Sequence, residues 1–131
     1  MTSRRAPTRE TPILQAIREA LGREPDITLW RNSTGVLADA SGRHVRFGLC
    51  VGSSDLIGIL APLGMLVAIE VKRPKGGRAS AEQAQFIDLV KRRGGHGGFA
   101  RSVEDARRIV DEARAIARVR LGAEVVEPLW R

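Results

Sequence analysis

Apolar positions recur at helical spacing in three stretches of the chain, with short extended runs between them. Ile13, Leu14, Ile17 and Leu21 share one face, which predicts a first helix over about Pro12 to Leu21, with Thr11 as N-cap and Gly22 as stop. Ile27 to Arg31 reads as a short strand, and Asn32 to Gly42 as a loop or a short hairpin. Val45 and Phe47 alternate against His44 and Arg46, which suggests another strand. Two apolar runs follow, Asp55 to Leu60 and Met65 to Lys72, joined by the turn Ala61-Pro62-Leu63-Gly64.

After a glycine-containing loop at Lys75 to Arg78, a second helix is expected from Ala81 to Arg93, capped by Ser80 and ended by Gly94-Gly95. Gly97 to Ala100 reads as a short strand. Ser102 opens a last helix through about Arg118, with Val103, Ala106, Ile109, Val110 and Ala113 inward. Strand–helix–strand over Met65 to Ala100 is a βαβ crossover, so the predicted class is α/β: one domain, a mixed sheet flanked by helices. Residues 1–9 read as a basic arm, and 119–131 as a C-terminal extension available for dimer contact.

Charge adds a partner. The chain carries 19 Arg and 3 Lys against 15 acids, a formal charge of +7. Arginine grips phosphate through a bidentate fork, so a polyanion is the natural partner, although arginine-rich coding alone would give the same count. Lys72, Arg73, Lys75 and Arg78 cluster with no acid between them. Lys91, Arg92 and Arg93 serve equally well as complement to a helix C-terminus. Tyr is absent and aromatics are 4%, which disfavours base-stacking platforms. The longest apolar run, Leu56 to Ile69, is interrupted by Gly58, Pro62 and Gly64 and is too short for a membrane span. With no signal-peptide pattern at the N-terminus, the expectation is a cytoplasmic protein. The single cysteine, Cys50, excludes an internal disulfide and reads as a small buried side chain.

Chemistry enters through the predicted hairpin. If residues 61–64 form the turn, Leu60 faces Met65 and Asp55 falls opposite Glu70. Facing carboxylates repel and weaken a sheet, a conflict that a shared divalent cation removes. Residues two apart on a strand share a face, so Lys72 joins Asp55 and Glu70. An amine there can orient a nucleophile and offset charge on a phosphate. Gln83 lies on the inward stripe of the following helix with Phe86, Ile87 and Val90, and also fits a capping box with Ser80. Extending the first helix by one turn would bring Glu10 to the same side, whereas Glu19 points to solvent. His44 and His96 lack metal-ligand spacing. Trp30 fits a core position, and Trp130 a docking contact. The Gly76-Gly77 loop lacks the Lys-Ser/Thr of a nucleotide phosphate loop, so no nucleotide cofactor is expected.

Asp, a hairpin-length spacer and Glu-x-Lys form the pattern of PD-(D/E)xK nucleases, with Ser54 where that pattern has proline. Together with Trp30 to Gly35, Arg46-Phe47-Gly48, Gly52 to Gly58, Glu70 to Pro74, Ser80 and Glu82-Gln83, it closely resembles the small stand-alone VRR-NUC nucleases over about residues 10–112. The resemblance implies a restriction-endonuclease-like core and a homodimer that hydrolyses phosphodiesters of branched, Holliday-junction-like DNA. It implies Mg²⁺ or Mn²⁺ held by Asp55, Glu70 and the Val71 carbonyl, Lys72 as catalytic lysine and Gln83 in support. Glu10 matches the family's N-terminal acid only loosely. Asn32, Arg46, Arg73, Lys75 and Arg78 would grip backbone phosphates. The rival readings are a non-catalytic DNA-binding module on the same scaffold and a sequence-specific restriction nuclease.

Overall fold

A computed structural model describes residues 10–126. The first helix, α1 (Glu10–Leu21), buries Ile13, Leu14, Ile17 and Leu21 as the spacing predicts. It starts two residues before Pro12, so Thr11 lies inside the helix and is not its N-cap. Proline is tolerated there because N–H groups in the first turn have no intrahelical acceptor.

Four strands form the main sheet: β1 (Ile27–Arg31), β4 (Leu56–Leu60), β5 (Met65–Val71) and β6 (His96–Ala100), in the order β1-β4-β5-β6. The first two pairings are antiparallel and β5–β6 is parallel. Helix α2 (Ala81–Arg92) connects β5 to β6, which gives the expected crossover, and α3 (Val103–Val126) follows. The molecule is thus a small α/β domain with a mixed four-stranded sheet.

Alternation assigns the two faces of the sheet. Val67, Ile69 and Val71 of β5 join Leu56, Leu60 and Ile27 against α1 and the Ala106, Ile109, Val110 and Ala113 stripe of α3. The opposite face of β5 carries Leu66, Ala68 and Glu70, and α2 packs over β5 and β6 there with Ile87 and Val90 buried. Over β1 and β4 none of the described helices covers that face. Trp30 is 52% exposed and Ile59 44%, so Trp30 is no core residue.

Residues 32–42, open between loop and hairpin in the sequence, give β2 (Gly35–Ala38). It pairs with β3 (His44–Phe47) as a separate two-stranded ribbon, register Gly35↔Phe47 to Ala38↔His44. Asp39 shapes its turn, its carboxylate accepting the N–H groups of Ser41 and Arg43 at 2.9 Å each. The last helix runs beyond Arg118 to Val126, so the proposed extension is, in its first part, continuous helix. Gly122 costs about 1 kcal/mol relative to alanine, and no proline intervenes before Pro128. The basic arm and Trp130 lie outside the described residues. Among the described residues no helix is long and apolar enough to cross a membrane.

One polar network ties the turn before β1 to α3. Arg114 donates to Glu24 at 2.6 Å and to Asp26 and Asp111 at 2.8 Å. The guanidinium holds the Asp26 carboxyl below its ordinary range. The apolar core carries more of the stability. Ile17 is fully buried, so Ile17→Ala should lower unfolding free energy by about 2–5 kcal/mol in urea titration. Ile59→Ala, on that uncovered face, should change it by less than about 1 kcal/mol in the same titration.

Candidate active site

The hairpin brings the two acids together at its open end. The β4–β5 register runs from Leu60↔Met65 to Leu56↔Ile69, which places Asp55 and Glu70 at the next step. Asp55 itself stands just before β4. Its side chain, in place of its backbone, completes the ladder: Oδ2 accepts the Val71 N–H at 2.9 Å. The main-chain carbonyl of Asp55 accepts from Asn32 N–H at 2.7 Å. Asp55 is therefore aimed by β1 on one side and β5 on the other.

Glu70 is 3% exposed and Lys72 7%. Gln83 links them: Lys72 Nζ donates to Gln83 Oε1 at 2.7 Å, and Gln83 Nε2 donates to Glu70 Oε1 at 3.1 Å. The same Oε1 accepts the Ser80 N–H at 3.0 Å, while Ser80 Oγ accepts the Gln83 N–H at 3.1 Å. Capping box and site bridge coexist in one side chain. The cap fixes the start of α2, and the start of α2 fixes the amide over the acid and the amine. Lys72 N–H donates to the Ala100 carbonyl at 2.8 Å, so both ends of the lysine are held. An ammonium has three donors, and Gln83 takes one of them.

Burial pushes the Glu70 carboxyl up to about 8, with the Asp55 charge and a hydrogen bond to Asp55 adding to the rise. Lys72 opposes the shift, and Glu10 raises it further. Two carboxylates facing each other cannot both ionise cheaply, and the buried Glu70 bears the rise. Glu10, in the first turn of α1, thus acts electrostatically on Glu70, while Glu19 stays on the solvated face beside Gln15.

With Glu70 ionised, two buried side-chain polar atoms among the described residues lack a hydrogen-bond partner, Glu70 Oε2 and Ser54 Oγ. One belongs to the acid pair and the other to the residue before Asp55. An orphaned carboxylate oxygen facing a second carboxylate fits a hard divalent cation such as Mg²⁺ or Mn²⁺. Among the described residues no set of three His, Cys, Asp or Glu side chains gathers as a metal cage, so the side-chain donors on offer are the two acids.

The residues expected to grip phosphate are dispersed. Arg73, Lys75 and Arg78 are exposed on the loop after β5, directly beyond Lys72. Arg46 stands on the separate ribbon and lines a cleft of about 390 Å³ with Thr34, Phe47, Gly48, Leu49 and Gly52. Asn32 is engaged within the chain. Its Nδ2 donates to Ser53 Oγ at 2.7 Å and to the Ser54 carbonyl at 3.0 Å, and its Oδ1 accepts the Leu49 N–H at 3.2 Å. It staples the 48–54 loop that delivers Asp55. Gly52, with φ +81°, lets that loop lie against α2, where a Cβ would fall 2.5 Å from the Glu82 carbonyl carbon.

Cys50 is exposed, contrary to the buried position expected of it, because the 48–54 loop turns outward around Ser53. His44 lies on the exposed ribbon, and His96 Nε2 sits 3.0 Å from Glu112 Oε1. Neither histidine bonds to the acid pair. Arg101 reaches the 73–77 loop from beyond β6, a contact for which the sequence carries no local signal.

The raised titration of Glu70 sets a pH dependence. From the ordinary value of 4.5 up to about 8 the folded chain holds a proton that the unfolded chain has released. Stability therefore falls as pH rises through that window. Thermal melts should show this decline in wild type and a weaker one in Glu70→Gln. Mg²⁺ should raise the melting temperature of wild type most above about pH 8, and that of Glu70→Gln far less. A search of protein-family models, curated proteins and solved structures finds no match to this chain in any of the three.

Proposed function

We propose that the chain is a metal-dependent DNA endonuclease with a restriction-endonuclease-like core, acting as a homodimer on branched DNA. The observation that carries this reading is the facing pair of Asp55 and the buried Glu70, which has an orphaned oxygen when ionised, beside the buried amine of Lys72. A purely structural sheet end gains nothing from two facing acids. Asp55, Glu70 and the Val71 carbonyl would hold Mg²⁺ or Mn²⁺. When bound, that ion lowers the pKa of water and polarises a phosphodiester.

The chain's own groups do the rest. Gln83 holds Lys72 Nζ at 2.7 Å and leaves the ammonium donors that can orient water or meet charge on the phosphate. Arg73, Lys75, Arg78 and Arg46 would contact backbone phosphates, which position a duplex without reading its sequence. The formal charge of +7 draws a polyanion to the surface. Recognition through backbone favours a substrate defined by shape. Paired cuts need two centres, and one small domain supplies one, hence the two-fold dimer.

The test is a cleavage panel of linear, flap, splayed and four-way DNA with Mg²⁺ or Mn²⁺. Wild type should cut branched DNA. Lys72→Ala should lose at least about a thousand-fold in cleavage rate, with DNA binding within about two-fold. Loss of binding and cutting together in a folded variant would remove Lys72 from its role. Binding without any metal-dependent cutting would mark a non-catalytic module, and cutting confined to a linear palindrome would mark a restriction nuclease.

A further inference from the structure

The loop between β5 and α2 is held from the far end of β6. Arg101, the residue after that strand, donates from Nη1 to the carbonyls of Arg73 at 2.7 Å and Gly76 at 2.6 Å. Its Nη2 donates to the Gly77 carbonyl at 3.2 Å. Three carbonyls of one loop converge on a single guanidinium. The base of this strap is firm, because the Arg101 N–H donates to Asp105 Oδ2 at 2.9 Å and the Asp105 N–H to Ser102 Oγ at 3.1 Å, at the start of α3.

Within the loop itself, ordering is costly. Gly76 and Gly77 sit at φ +72° and +65°, in the left-handed region, and a Gly-Gly segment loses the most backbone entropy on ordering. Its basic side chains, Arg73, Lys75 and Arg78, are exposed, and none makes an ion pair among the described residues. Elsewhere arginines pair freely: Arg92 with Asp88, Arg107 with Glu24, Arg108 with Asp105 and Arg114 with three acids. The loop also lies against the catalytic candidate, since a Cβ on Gly77 would fall 3.9 Å from Lys72 Cδ. Uncovered carbonyls would repel a phosphate. Under Arg101 they are neutralised, and Arg73, Lys75 and Arg78 stay exposed, with the Arg73 side chain lying over Gly76 and Gly77.

We propose that Arg101 is a positioning residue, which straps the 73–78 loop so that Arg73, Lys75 and Arg78 form a preformed grip for a nucleic-acid backbone beside Lys72. The assignment rests on the nuclease reading above. The planar fork is essential to it. A lysine keeps the charge but cannot span three carbonyls.

The experiment compares wild type with Arg101→Lys and with the double variant Gly76→Ala, Gly77→Ala, which strains the loop from within. Limited trypsin digestion without DNA reads loop order at the bonds after Lys75 and Arg78. Four-way DNA with Mg²⁺ reads binding and cutting, and thermal melts confirm folding. Loop cleavage should rise at least about ten-fold in both variants, through local opening. KM for DNA should rise about ten-fold, the slope of log affinity against log salt should fall by about two, and kcat should stay within about two-fold. A purely structural arginine would leave the salt slope unchanged. Arg101→Lys with wild-type trypsin resistance overturns the proposal, as does a loosened loop with unchanged KM and slope. Wild type that cuts DNA while Arg101→Lys matches it overturns this inference alone. Wild type that binds no DNA overturns the nuclease reading and this inference together.

Discussion

Two carboxylates are forced together where water is scarce. Asp55 and Glu70 meet because the antiparallel register of β4 and β5 leaves them no other place, and burial raises the cost of charging Glu70. The fold accepts this electrostatic conflict at the end of its central strand. Neighbouring groups temper it: a proton at neutral pH, the Lys72 amine, the Gln83 amide and the Val71 N–H on Asp55. A divalent cation would replace the proton and satisfy the orphaned Glu70 oxygen.

The remaining structure can be understood as support for that meeting point. The core of α1 and α3 buries the odd-numbered face of β5, which commits Glu70 to the other face. Helix α2 covers that other face, and its capping box delivers Gln83 to the acid and the amine. Asn32 and Ser53 brace the loop before Asp55, while Arg101 braces the loop after Lys72. The site is therefore held by strands at its centre and by long-range side-chain hydrogen bonds at its two flanking loops.

Local features were legible in the sequence and distant ones were not. The turn Ala61-Pro62-Leu63-Gly64 between matched apolar runs is enough to set the register, and hence the Asp55–Glu70 approach. Ser80 with Gln83 three residues on announces the start of α2. Arg101 gave no warning, because its three acceptors lie 24 to 28 residues away and every exposed arginine looks alike in a string. The same holds for Arg114, which finds Asp26 across 88 residues. Alternation at Val45 and Phe47 suggested a strand, and the ribbon that forms is exposed on both faces, with no layer of the described residues packed on it. Periodicity states which positions could be buried, and the tertiary partner decides which are.

The most direct measurement is a side-chain carbon NMR titration of Glu70, with and without Mg²⁺. A midpoint near 8 in metal-free protein, moved to lower pH by Mg²⁺, is the predicted result. A midpoint at the ordinary glutamate value of 4.5, indifferent to the ion, would contradict the account of a buried Glu70 facing Asp55 across a place for a cation.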